Sequence, residues 1–182
     1  MTRLWQALVP RARDRDPHRP VLDNREIVRL ARSLPITDPF DLDALLGEVS
    51  RMVGTPIALA PYPAHTVEDA RRLGEALPAA LCIVAGTRAH VLYRTDTTPS
   101  HQRHSILHEV GHLLCRHGTP SADTDVRTLL RSTYDDAQEQ AAEAFAYEFE
   151  RRLGPVRVLS SDHPTDEKLT DTIERAGSIL EG

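Results

Sequence analysis

The strongest chemical signal in this 182-residue chain is carried by His108, Glu109 and His112, spaced as His-Glu-x-x-His. On an α-helix, residues four apart stand one turn apart on the same face. Two imidazoles so placed can both reach one metal ion, and the carboxylate beside them points toward a water on that ion. This is the arrangement of a zinc hydrolase, with two histidine ligands, an open coordination position and a carboxylate general base. The surroundings strengthen the signal. Ile106, Leu107, Val110, Leu113 and Leu114 flank the motif as they would on a buried helix. Thr98-Pro99 supplies a cap and a first helical residue, and Gly118 a stop. Gly111 costs about 1 kcal/mol relative to alanine inside a helix, and close approach of another backbone is the reason to keep it.

A zinc site takes a third protein ligand. A strong helix is expected from Tyr134-Asp135-Asp136 to about Leu153, ending at Gly154-Pro155. It offers Glu139 and Glu143, four apart on one stripe. Ala142 and Ala146 beside them are small enough for two helices to approach, and Phe145 and Phe149 mark the core-facing stripe. Glu139 is taken as the third ligand. Glu143, one turn on, is then placed to accept a hydrogen bond from a ligand imidazole and orient it. Exchange of these two roles stays open. An extended metalloprotease pattern would need Gly at 115 and His at 118, where this chain has Cys115 and Gly118. His117 therefore reads as a helix-end residue, stabilised by the helix dipole when charged. His104, one turn before His108, reads as an ordinary flank histidine that could line the same cleft. Tyr93, Tyr134 and His104 are the candidates for a group that holds an oxyanion.

The elements that must position these residues can be placed in order. Residues 1–22 form a basic, proline-broken arm, and residues 23–182 a single domain. Helices are expected at 24–34, with Ile27, Leu30, Ala31 and Leu34 inward, and from Thr37-Asp38-Pro39 to Gly54, with Phe40, Leu42, Leu45, Leu46, Val49 and Met52 inward. A strand follows at 56–60 and a short helix near 67–76. Residues 80–85 and 89–94 flank Gly86-Thr87 as a hairpin that leads directly to the motif helix. Its edge is the candidate for holding an extended substrate by strand addition. Downstream, a packed segment is expected around Val126, Leu129 and Leu130, an extended stretch at 155–159, and a last helix at 164–180. The fold class is α+β and mainly helical.

Composition excludes several functions. Net charge is −5 and aromatic residues make up 4 %, so the chain lacks both the basic surface and the stacking material of a nucleic-acid binder. The outward residues of the first helix pair, Asp41, Asp43 and Glu48, argue against a DNA-facing helix. No run of 18 apolar residues and no secretory leader is present, so a cytoplasmic protein with no membrane contact is the expectation. Cys82 and Cys115 read as buried thiols rather than a disulfide.

The run Ser105-Ile106-Leu107-His108-Glu109-Val110-Gly111-His112-Leu113-Leu114, followed by Glu139-Gln140-Ala141-Ala142-Glu143-Ala144-Phe145-Ala146, resembles the ImmA/IrrE family of metallopeptidases. The resemblance runs from about residue 79 to 153. It resembles in particular the short actinobacterial-type members, in which a Thr-Pro-x-His-Gln-like segment precedes the motif, here Thr98-Pro99-Ser100-His101-Gln102. It implies a zincin-like domain of gluzincin type, Zn2+ held by His108, His112 and Glu139, and Glu109 as the base. It also implies a cytoplasmic endopeptidase that cleaves a helix-turn-helix repressor, often encoded nearby. Two departures stand out. Glu143 occupies a place where many members have Asn, and the helix ends in Phe149-Glu150-Arg151-Arg152-Leu153-Gly154-Pro155 rather than a Leu-Leu-Met-Pro-like sequence. The competing reading is a zinc-binding regulatory or toxin–antitoxin partner that does not cleave.

Overall fold

A computed structural model describes residues 21–74, 76–85, 87–117 and 134–153, apart from the side chains of residues 65, 69, 73 and 85. The segments expected at 1–20, 126–130, 155–159 and 164–180 lie outside the described residues. Val21 and Leu22, at the end of the stretch read as an arm, pack against the core.

The first helix, α1 (Asn24–Ser33), is opened by a capping box in which Asp23 and Glu26 each accept the other's backbone N–H at 2.9 Å. Leu34, pressed by Pro35, turns extended and ends it. Helix α2 (Leu42–Val53) begins later than the Thr37-Asp38-Pro39 signal implies. Thr37 instead accepts the N–H of Asp41, and the Asp41 carboxylate caps Asp43 and Ala44. Gly54, at φ 73°, closes the helix in the left-handed conformation that glycine adopts without strain. Strand β1 (Ile57–Pro61), helix α3 (Ala64–Leu73) and the hairpin strands β2 (Ala80–Ala85) and β3 (Arg88–Tyr93) follow. Helix α4 (Pro99–Cys115) carries the motif, with Thr98 as its cap and Pro99 in its first turn. Helix α5 is Asp136–Leu153. Among the described residues this is a mainly helical α+β structure.

The sheet has the order β1-β3-β2, with β1 parallel and β2 antiparallel to the central β3. Its two faces follow the strand period of two. Leu59, Cys82, Ala89, Val91 and Tyr93 belong to the main core with α4 and α5. Ala60, Ile83 and Leu92 belong to a smaller cluster with Tyr62 and Val67. Helix α4 is enclosed on nearly every side from Ser105 onward, packed by the sheet, α2 and α5.

Gly111 sets how closely α4 and α5 approach. A Cβ there would lie 3.0 Å from both the Cα and the carbonyl oxygen of Ala142, and 3.2 Å from Cδ1 of Phe145. Ala142, Phe145, Ala146 and Phe149 are fully buried along this contact. At the far end, the Arg152 guanidinium donates to the carbonyls of Ala31 and Leu34, groups left without partners where α1 stops. Helix α5 is thus fixed along its length, and with it the carboxylates it carries.

Candidate metal centre

Helix periodicity puts His108 and His112 on one face of α4, and the α4–α5 contact brings Glu139 across from them. His108 Nε2 lies 2.9 Å from His112 Nε2 and 3.2 Å from Glu139 Oε2, and His112 Nε2 lies 3.8 Å from the same oxygen. Two donors about 2.05 Å from a tetrahedral zinc would stand roughly 3.3 Å apart. The three separations bracket that value, and among the described residues these three form the group that could hold a metal ion. The donor set, two imidazoles and one carboxylate, fits zinc with one position open. His112 is 1 % exposed, whereas the Glu139 side chain is 37 % exposed, so the cluster opens to solvent on the α5 side.

Glu143 sits behind His108 rather than beside the converging nitrogens. Its Oε2 is 3.4 Å from His108 Nδ1 and 3.1 Å from His104 Nε2. His104 continues the chain through Nδ1 to Glu150 at 3.1 Å, and Glu150 holds the buried Arg103 at 3.3 Å. Burial works against charge on His104, but Glu150 and Glu143 outweigh it and raise its pKa above the usual value. His104 is therefore more than a flank residue. It ties the Glu143 carboxylate in place, a link set by the register of two helices that neither helix announces alone.

Glu109 turns to the sheet. Its Oε2 accepts the N–H of Cys82 at 2.9 Å, from the outward edge of β2. Burial pushes its carboxyl up to about 7, the Cys82 N–H pulls it back, and Glu139 adds to the rise. The expected substrate-holding edge is the edge strand, and at Cys82 its N–H is already engaged by Glu109. An added strand at that residue would compete with the carboxylate.

His117 is where expectation and structure part. It does stand at the helix end, but its side chain is turned back onto the motif helix rather than out to solvent. It is 4 % exposed, and its Nδ1 lies 2.8 Å from His112 Nδ1. Burial pushes it down to about 4, against the pull of Asp135 and with the push of His108. His112, buried and flanked by His108 and His117, is pushed down to about 2 and is neutral. The helix ends at Cys115, ahead of Gly118, because Arg116 takes the left-handed conformation at φ 59°.

Of the oxyanion candidates, Tyr134 stacks on His112 with ring centroids 3.7 Å apart. Burial raises its phenol, and Glu109, Cys82 and Glu139 add to the rise. Tyr93 packs in the core. Tyr62 carried no sequence signal. Its buried hydroxyl has no hydrogen-bond partner among the described residues, and burial followed by the charge of Glu109 raises its pKa. Both cysteines are buried free thiols. Among the described residues no helix is long and apolar enough to cross a membrane.

Residues 70–150 match the family model described as the IrrE N-terminal-like domain, Peptidase_M78. No curated protein and no solved structure matches the chain. The matched stretch holds α4, most of α5 and the hairpin that supplies Cys82.

Proposed function

We propose, from the match of residues 70–150 to the IrrE N-terminal-like domain, that the chain is a zinc-dependent endopeptidase of the ImmA/IrrE family with a zincin-like fold of gluzincin type. The observation that carries this reading is the convergence of His108 Nε2, His112 Nε2 and Glu139 Oε2, with Glu109 on the same helix and turned to the sheet edge. A zinc ion held by the three would lower the pKa of a bound water toward about 7 and polarise the scissile carbonyl. Glu109 is anchored through Oε2, which leaves its other oxygen to take the water's proton and deliver it to the leaving amine. The Glu143 carboxylate, 3.4 Å from the rear nitrogen of His108, favours a proton on that nitrogen and so a lone pair on Nε2. Tyr134, beside His112 and close to Glu109, is the best placed of the candidates to steady the oxyanion.

The substrate in this reading is a cytoplasmic regulatory protein, with a helix-turn-helix repressor as the first choice, recognised by one domain of residues 23–182. The test is cleavage by the zinc-loaded protein of such repressors from the same cell, compared with its Glu109→Gln variant. The variant should keep zinc and lose at least about 100-fold in rate. Full activity in a zinc-loaded Glu109→Gln protein refutes the assignment. A partner that binds but is never cut favours the regulatory reading.

A further inference from the structure

The way α4 stops assigns a role to His117. The N–H of Arg116 bonds the carbonyl of Leu113 at 3.2 Å, and the N–H of His117 bonds that of His112 at 3.0 Å. Together these are a Schellman turn. Such a turn folds the second residue past the helix back over the last helical turn, where an apolar contact usually accompanies it. Here both side chains are imidazoles, in contact through their Nδ1 atoms at 2.8 Å. An apolar residue would serve the turn without burying a ring nitrogen. His117 instead is buried with its Nε2 lacking any hydrogen-bond partner among the described residues. Among the described residues its one side-chain hydrogen bond is to His112. Arg116 accepts a left-handed backbone to make that bond, as the one non-glycine residue with positive φ among the described residues.

The direction of the hydrogen bond follows from the tautomers. A neutral imidazole has one N–H and one lone pair. His112 faces the donor cluster with Nε2, so a lone pair kept there puts the proton on Nδ1, and His117 Nδ1 is the acceptor. We propose that His117 is a positioning residue for the metal centre, fixing the tautomer and ring angle of His112 by accepting its Nδ1–H. The helix terminator thus supplies what a carboxylate or a backbone carbonyl supplies behind other metal-bound histidines. This rests on the metal reading of His108, His112 and Glu139.

The test is zinc affinity of the full-length protein, measured by competition with a chromophoric chelator, alongside thermal unfolding of the metal-free form. His117→Leu supplies the apolar contact usual at this turn, so the metal-free protein should unfold at or above the wild-type temperature. Its zinc dissociation constant should rise roughly 10- to 100-fold. His117→Gln and His117→Met form a matched pair of similar shape. The Gln side-chain oxygen can accept from His112, and it should bind zinc more tightly than Met. Equal affinity in that pair, or wild-type affinity in His117→Leu, overturns the proposal while leaving the metal centre intact. Failure of the wild-type protein itself to take up zinc is a separate result, and it defeats the underlying reading as well.

Discussion

Gly111→Ala tests whether the helix contact is what assembles the centre. The new methyl would meet Ala142 Cα and O at 3.0 Å and Phe145 Cδ1 at 3.2 Å. Relaxed carbon contacts lie at about 3.5–4.0 Å, so the gap must open by roughly half an ångström. The Phe145 ring can swing, but the Ala142 backbone cannot move without carrying α5. Overpacking of this kind costs roughly 1–3 kcal/mol, and the better helix propensity of alanine returns about 1 kcal/mol. The metal-free protein should therefore lose only about 1 kcal/mol, a shift of about 2–4 °C for a chain of this size. Zinc binding should suffer more, because Glu139 rides on α5 three residues before Ala142 and metal–donor distances tolerate only about 0.2 Å. A tenfold weaker site removes about 1.4 kcal/mol of zinc-induced stabilisation at saturating metal. The gain in melting temperature on adding zinc should shrink by about 3–6 °C. The assay is thermal unfolding of wild type and variant, each with and without zinc. A variant that melts lower but keeps the full zinc-induced gain would refute the reasoning.

Two further outcomes are expected. The folded-state pKa of Glu109, about 7, stands above its ordinary value of 4.5, so the metal-free fold holds a proton that the unfolded chain releases, and it loses stability as pH rises through that window. Glu109→Gln keeps an oxygen for the Cys82 N–H and removes this loss, so its stability relative to wild type should rise between pH 4.5 and 7 by on the order of 3 kcal/mol; parallel pH profiles from urea unfolding would contradict this. Glu143→Gln removes the charge shared by His104 and His108 and should weaken zinc roughly 10-fold or more without abolishing it, whereas unchanged affinity in the chelator assay would show that the carboxylate does not act on His108.

Much of the site was legible because it depends on local rules. Thr98 and Pro99 mark the start of α4, His108 and His112 share a face by helix periodicity, and Gly111 signals the close backbone it meets at Ala142. The alanines and phenylalanines of α5 give its buried face, and that fixes which carboxylates can look back at α4. What was not legible depends on choices between neighbouring signals or on contacts made far along the chain. Gly118 is the better residue for a left-handed stop, yet Arg116 takes that conformation and draws His117 onto His112. Asp38-Pro39 is a good helix opening, yet Asp41 caps α2. The bond from Cys82 to Glu109 needs the hairpin edge laid beside α4, and the Glu143–His104–Glu150 chain needs one particular register of α4 on α5. Neither leaves a periodic trace.

The central claim is a zinc centre built from His108, His112 and Glu139. Elemental mass spectrometry on the purified full-length protein, beside its Glu139→Ala variant, tests it most directly. The account predicts about one zinc per chain in the wild type and little in the variant after the same dialysis. A wild type that neither carries zinc nor takes it up on titration would contradict it, as would a Glu139→Ala protein that holds zinc as firmly as the parent.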